Sequence, residues 1–336
     1  MNTQTHTHTY LKKTRGHRGE MWTSLINLGC LSSVSLLLWA FSSPQMAAAF
    51  AYCFTCFVGM ALSTSIAWFR RPPAFALPDL GHELLPEIRT IFGVEAHRIC
   101  DNLLYTTAAA TVGFVLGHPQ RATIGRRFFV VYGTLMMLRS VTLLMTALPD
   151  PYILCREAAT TTADATSTTA ATGAVWRAFP WGHAFGKFLR MFEGSANSLT
   201  CGDLIFSGHT VVFVLCALVW HTYYTPSHVF INPMKLFIWV LSIVGTLLLL
   251  ITRMHWTIDI ALAYYITTTM WNFYHSACHA LVKGHYMKSV VWIDGVVVYP
   301  FIAWLETGVS ASEFHRVNSR RNDVDLNTDT GRLATQ

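Results

Sequence analysis

Residues 21–69 read MWTSLINLGCLSSVSLLLWAFSSPQMAAAFAYCFTCFVGMALSTSIAWF, 49 consecutive positions without one Asp, Glu, Lys or Arg. A helix needs about 20 apolar residues to cross the hydrocarbon of a bilayer. The stretch therefore has room for two spans, with Ser42-Ser43-Pro44-Gln45 as the turn between them. It is too long for a signal peptide and lacks a convincing small-residue cleavage site. Moving outward, further apolar runs fall at 102–117, 128–148, 204–222, 234–252 and 256–274. They are continuous rather than alternating, which argues against a transmembrane barrel. The expected fold is all-α: a polytopic membrane helical bundle of six transmembrane helices, or seven if residues 21–69 divide into two full spans.

Composition agrees. The 336 residues include 24 Lys or Arg and 18 Asp or Glu, so 12% are charged, against roughly 25% in soluble domains. Hydrophobic residues make up 52% and the mean hydropathy is +0.38. Too few charges remain to cover a soluble enzyme, and disordered, collagen-like and disulfide-scaffold compositions are excluded too. Lys12, Lys13, Arg15 and Arg18 precede the first run, and Arg121, Arg126 and Arg127 precede residue 128. The positive-inside rule puts both groups in the cytosol. Six crossings satisfy this, with part of residues 21–69 interfacial or re-entrant; seven do not. The net charge of +6 then reads as basic tails beside anionic lipid. No basic-aromatic module indicates nucleic acid.

The expected organisation is a basic cytosolic tail over 1–20, a transmembrane catalytic domain over 21–280 and a cytosolic tail over 281–336. The middle part contains a long non-cytosolic loop at about 149–203. Within that loop residues 160–172 are almost entirely Thr, Ala and Ser, which reads as flexible linker. Residues 290–305 are apolar but carry Asp294, so an interfacial helix is expected there. Only about 20 residues precede the first apolar run, so no sterile-alpha-motif domain is expected ahead of it. Cys155 and Cys201 fall on the same non-cytosolic side and are able to pair. Cys53 and Cys56 lie inside an apolar run and read as core thiols. No metal site is expected; His6 and His8 lack convergent partners.

Ionisable groups inside a span cost about 2.5–3.5 kcal/mol each at its centre, so the few present are informative. Cys201-Gly202-Asp203-Leu204-Ile205-Phe206-Ser207-Gly208-His209-Thr210 opens one apolar run, and Arg253-Met254-His255-Trp256-Thr257-Ile258-Asp259 opens another. One helix goes out and the next comes back between them, so His209 and His255 fall on the same side of the bilayer. His255 and Asp259 are four apart and would share a helix face. A carboxylate so placed can fix the imidazole tautomer and leave the other nitrogen as nucleophile. His209 would move the proton on the leaving or attacking oxygen. Either histidine alone could be a helix-end residue satisfied by water; the three together suit covalent phosphoryl transfer.

These two segments resemble the third and fourth signature motifs of the sphingomyelin synthase (sphingolipid synthase) family, which is related to the lipid phosphate phosphatases. Arg126-Arg127-Phe128-Phe129, Gly133-Thr134-Leu135, Arg139, Thr142 and Thr146-Ala147-Leu148-Pro149 resemble the family's arginine-containing motif. Leu77-Pro78-Asp79 resembles its proline-aspartate loop, with Ala76 in place of the usual first proline. Ala263-Tyr264-Tyr265-Ile266-Thr267-Thr268, followed by Tyr274-His275, is similar to the animal members. The resemblance covers roughly residues 76–305. It implies that His255 attacks the lipid phosphorus, that Asp259 orients it, and that His209 serves as acid and base. Diacylglycerol would leave a phosphohistidine, and the primary hydroxyl of ceramide would collect the headgroup. The resemblance implies no cofactor or metal, lipid partners only, an active site facing the lumen or cell exterior, and residence in the Golgi or plasma membrane. A homo-oligomer stays open.

Arg139, near the middle of its apolar run, reads either as a clamp for the substrate phosphate or as half of a buried ion pair, for instance with Asp101. Asp101 itself stands near a position where animal members carry glutamate and joins the substrate-binding candidates. Asp203 and Ser207 are read as shaping the headgroup pocket, with helix capping as the plain alternative.

Three rival readings remain. A lipid phosphate phosphatase would carry a lysine seven residues ahead of its Arg-Pro pair; here Arg71-Pro72 has Thr64 at that place. That family also sets an arginine six residues before the histidine, whereas Arg253 is two before His255. A transporter or scramblase would show inverted repeats and paired broken helices, which are not evident. The headgroup is the third. The tyrosine-threonine run and the Arg-Arg-Phe-Phe segment lean to phosphocholine or phosphoethanolamine. Ile205 stands where the animal members commonly have an aromatic residue, and Arg253 just before His255 resembles the plant arrangement, that of the inositol phosphorylceramide synthases.

Overall fold

Pro44 supplies a fixed φ at the first position of a helix, where its missing N–H costs nothing. Ser43 before it caps the turn, its hydroxyl accepting from Met46 N–H at 3.2 Å. The predicted turn at 42–45 is therefore a helix start. The computed structural model describes residues 43–70, 77–87, 96–152, 155, 181–192, 201–224, 233–282 and 298–307. The expectations for residues 1–42, for the linker at 160–172, for 290–297 and for the tail beyond 307 lie outside the described residues.

The chain divides into two compact units, Met1–Ala48 and Ala49–Gln336. The first is described only at residues 43–48, where the opening helix begins. In chain order the helices are α1 (Pro44–Arg70), α2 (Leu80–Leu84), α3 (Ala96–Gly117), α4 (Arg121–Met145), α5 (Trp181–Phe192), α6 (Gly208–Tyr223), α7 (Pro233–Ile251), α8 (Thr257–Val282) and α9 (Tyr299–Leu305). No strand occurs among the described residues.

Four helices are long and apolar enough to cross a membrane: Pro44–Arg70, Arg98–Gly117, Arg121–Met145 and Pro233–Ile251. The run at 204–222 gives a helix of 16 residues that starts only at Gly208, about 24 Å long at 1.5 Å per residue. Residues 201–207 before it are an irregular loop. Helix α8 has 26 residues, but its threonines, tyrosines and histidines dilute its apolar character.

The second unit is organised around α6, which packs against α3, α4, α7 and α8. Its buried residues include Val211, Phe213, Val214, Leu215, Ala217 and Val219. A helix apolar on every side belongs inside a bundle. Trp220 near its far end donates to Thr111 Oγ1 at 3.1 Å and stacks on Phe114 with centroids 4.3 Å apart. Centrality fixes its N-terminus, which carries His209, among the ends of its neighbours.

Candidate active site

The loop ahead of α6 is held from several directions. Gly202 has φ +80°, a conformation that favours glycine, and a Cβ there would lie 2.9 Å from the Ala67 carbonyl oxygen. Its N–H donates to both carboxylate oxygens of Asp150, at 3.1 and 3.0 Å. Cys201 is disulfide-bonded to Cys155, so the pairing left open by the sequence is made. Among the described residues, one cluster of metal-ligand types, Asp150, Cys155 and Cys201, thus has both sulfurs in a disulfide. Thr142 Oγ1 donates to the Ile205 carbonyl at 2.6 Å. Ser207 caps α6, its hydroxyl accepting from Thr210 N–H at 3.3 Å, and its own N–H donates to the Asp259 carbonyl at 3.2 Å. That last bond ties the two histidine-bearing segments together.

Arg139 reaches the same loop from α4. It is buried and ion-paired with the Asp203 carboxylate, and its Nη2 also donates to the Asp203 carbonyl at 3.2 Å. The partner is thus Asp203, and not Asp101 as the sequence had suggested. Thr64 Oγ1 donates to the same carboxylate at 3.2 Å. A Cβ on Gly208 would lie 3.0 Å from Arg139 Cζ, so glycine lets the guanidinium lie against the first turn of α6. Arg139 Nε is buried without a hydrogen-bond partner.

His209 and His255 sit with ring centroids 5.9 Å apart in an edge-on arrangement. Each has its own carboxylate. His209 Nε2 donates to Asp101 Oδ1 at 3.1 Å, with side chains 27% and 33% exposed. His255 Nδ1 faces Asp259 Oδ2 at 3.8 Å, with side chains 6% and 0% exposed. The first pair is partly exposed and the second is buried. Asp101 therefore stands against the imidazole of His209.

His255 does not share a helix face with Asp259. It sits in the turn at 252–256, ahead of α8. Asp259 is in the first turn of α8, and its Oδ2 accepts from Trp256 N–H at 3.1 Å, the reciprocal half of a capping box. At 3.8 Å the His255 Nδ1 contact is longer than a hydrogen bond, and both Nδ1 and Asp259 Oδ1 are buried and unbonded. Such contacts tighten in complexes with substrate. Burial, and then the charges of His209 and Arg139, push the His255 imidazole down to about 3. It is neutral at working pH, the form a nucleophile needs.

The turn itself is clamped by a segment absent from the sequence-based site. Asp79 Oδ1 accepts from His82 N–H at 3.0 Å and from Thr257 Oγ1 at 2.6 Å. Its Oδ2 accepts from Thr257 N–H at 2.8 Å. One carboxylate thus caps both α2 and α8. His82 Nε2 donates to the His255 carbonyl at 3.0 Å, and the His82 ring lies 5.0 Å from that of Trp256. Arg253, with φ 58°, donates from Nη2 to the carbonyls of His82 at 2.7 Å and Leu85 at 3.1 Å. Burial tends to raise the Asp79 carboxyl, but the bonds from Thr257 and His82 outweigh it and hold it below its usual range. Burial and the Arg253 charge hold His82 below its usual value. The proline-aspartate resemblance was the signal that pointed here.

Residues 200–276 match the family described as PAP2 superfamily C-terminal. That region holds Asp203, Ser207, His209, His255 and Asp259. Over 245 residues the chain is 27% identical to phosphatidylcholine:ceramide cholinephosphotransferase 1 of Homo sapiens, covering 70% of this chain and 53% of that protein. The chain is homologous to the phosphatidylcholine:ceramide cholinephosphotransferases. Cholinephosphotransferase 1 of Caenorhabditis elegans is 27% identical over 279 residues, 76% of this chain and 55% of that protein. Cholinephosphotransferase 2 of Mus musculus is 34% identical over 161 residues, 46% of this chain and 39% of that one. The chain spans about half the length of the curated relatives it matches. Asp79, Asp101 and Arg139 lie outside the matched C-terminal region, yet meet it in space.

Proposed function

We propose that this chain is a sphingolipid synthase, a phosphotransferase that moves the phospho-headgroup of a glycerophospholipid to the primary hydroxyl of ceramide and releases diacylglycerol. The observation that carries the reading is the meeting of a buried, neutral His255 with His209, 5.9 Å away between ring centroids, each beside its own carboxylate. His255 Nε2 attacks phosphorus, and the bond to the diacylglycerol oxygen breaks. His209, protonated and held by Asp101, gives that oxygen its proton. Ceramide's hydroxyl then attacks the phosphohistidine as His209 takes the proton back, which returns both imidazoles to their starting states. As His255 acquires charge, its Nδ1–H donates to Asp259, which stabilises the cationic ring. Arg139, released in part from Asp203, meets the phosphoryl oxygens.

Phosphocholine and phosphoethanolamine are favoured over phosphoinositol. The relatives, named as cholinephosphotransferases, support the first, and Arg253, the residue that leaned the other way, is occupied with the α2 loop. Water as acceptor, the phosphatase reading, is disfavoured: Thr64, at the place of the expected lysine, bonds Asp203 instead of offering a cation. We take the bundle to cross the membrane six times with its site facing the lumen or cell exterior, in the Golgi or plasma membrane. The disulfide beside the site agrees with an oxidising compartment.

The test is incubation of the purified protein with headgroup-labelled phosphatidylcholine, phosphatidylethanolamine or phosphatidylinositol, with and without ceramide. Labelled ceramide phospholipid from the first or second donor is expected. Release of soluble label without ceramide would favour hydrolysis, and product only from phosphatidylinositol would reassign the headgroup.

A further inference from the structure

Helix α5, Trp181–Phe192, lies within the long loop between α4 and α6 and serves no role in the chemistry above. Its one buried side chain, among those described, is Ala184, packed with Ile66 of α1 and with Leu144 of α4. Both contacts are near the C-terminal ends of membrane-length helices. Two residues earlier on the same helices, Thr64 and Thr142 donate to Asp203 and Ile205 of the motif loop. Helix α5 is therefore fixed where two spans end, on the side that carries the site. In a chain that spans a bilayer, the ends of spans lie where hydrocarbon gives way to headgroups.

The two sides of the helix differ. Trp181, Phe185 and Leu189 are 52%, 54% and 48% exposed. At 100° per residue they cover an arc of about 80°, next to the arc of Ala184 and Phe188; Phe185 and Phe188 stack at 5.8 Å. His183, also exposed, falls on the opposite arc. An exposed aromatic and aliphatic stripe with a polar side chain behind it suits a helix that lies in the plane of a membrane surface, and Trp is enriched at that level.

We propose that α5 is an interfacial helix: it embeds Trp181, Phe185 and Leu189 in the leaflet onto which the site opens. This assignment needs only that the chain spans a bilayer. A further part, that α5 forms the rim over which membrane-borne substrate enters, rests on the group-transfer reading. For the first, p-benzoylphenylalanine is placed at position 185, 189 or 183 of the full-length protein in vesicles of acyl-tritiated phosphatidylcholine, and the vesicles are irradiated. Labelled lipid should couple at 185 and 189 about fivefold or more above 183. Equal coupling at all three, or coupling to a second copy of the chain, overturns the assignment whether or not the protein transfers headgroups. For the second, W181S/F185S/L189S should raise the KM for ceramide, expressed as its mole fraction in the vesicle, severalfold, with kcat unchanged. An unchanged KM alongside wild-type kcat would remove the entry role and leave the surface assignment to the crosslink.

Discussion

His255 is positioned by neighbours rather than by a helix. Its carbonyl is held by His82, the next turn by Asp79, and its ring faces Asp259 across 3.8 Å. Asp79 never approaches phosphorus in this account, so D79N should act through position. It should lower kcat on the order of 10–100-fold, the cost of a misplaced nucleophile, with KM for donor nearly unchanged, and D79E should restore part of the rate. Initial-rate kinetics on the three proteins check this. The folded values of His255 and His82 lie below 6.5, so the unfolded chain binds more protons as pH drops below that value. Stability is therefore highest above about pH 6.5 and declines toward the folded values. Thermal midpoints in detergent should fall between pH 7 and 5, and H255Q should show a shallower fall. The sequence made the histidine-carboxylate spacing visible. It could not show that the helix begins after His255, nor that Arg139 meets Asp203, 64 positions on, instead of Asp101.

At the scale of elements, α9 is tied to the bundle by charge. Arg127 of α4 forms a two-pronged pair with Glu306, at 3.0 and 2.6 Å, and Nη1 donates to Tyr223 at 3.3 Å. Tyr223 in turn bonds His275 Nε2 at 2.8 Å. Breaking a buried pair leaves an uncompensated charge, so E306A should cost about 3–5 kcal/mol, whereas R127M/E306M should come closer to wild type. Thermal unfolding of both variants decides it; equal losses would contradict a buried pair. This contact spans 179 positions, which no local pattern reveals. The start of α6 was more legible: Ser207 stands three residues before Thr210, a capping signature, and it explains why the apolar run from 204 yields a helix only from 208. Helix α5 was hidden inside a segment read as loop, although its apolar positions recur at helical spacing.

For the whole molecule, continuous apolar runs announced an all-helical membrane protein, and the four membrane-length helices match four of those runs. The run at 204–222 became a shorter helix with most of its side chains buried in the bundle, and the run at 256–274 a helix whose polar residues dilute its apolar character. The Cys155–Cys201 bridge closes a separation of 46 residues and pins the motif loop. Removing it as C155S/C201S should cost about 2–4 kcal/mol and lower activity more steeply with temperature than in wild type. A midpoint unmoved by the double substitution or by reductant would show that the loop is held without it.

The most direct test is to trap the intermediate. Protein given phosphatidylcholine labelled in its phosphate, without ceramide, and quenched in alkali should retain label at His255 that is stable to base and lost in acid, and ceramide added before the quench should discharge it. H255Q should carry no label and transfer at least about 10³-fold more slowly. Normal turnover by H255Q, or label residing on another residue, would contradict the account.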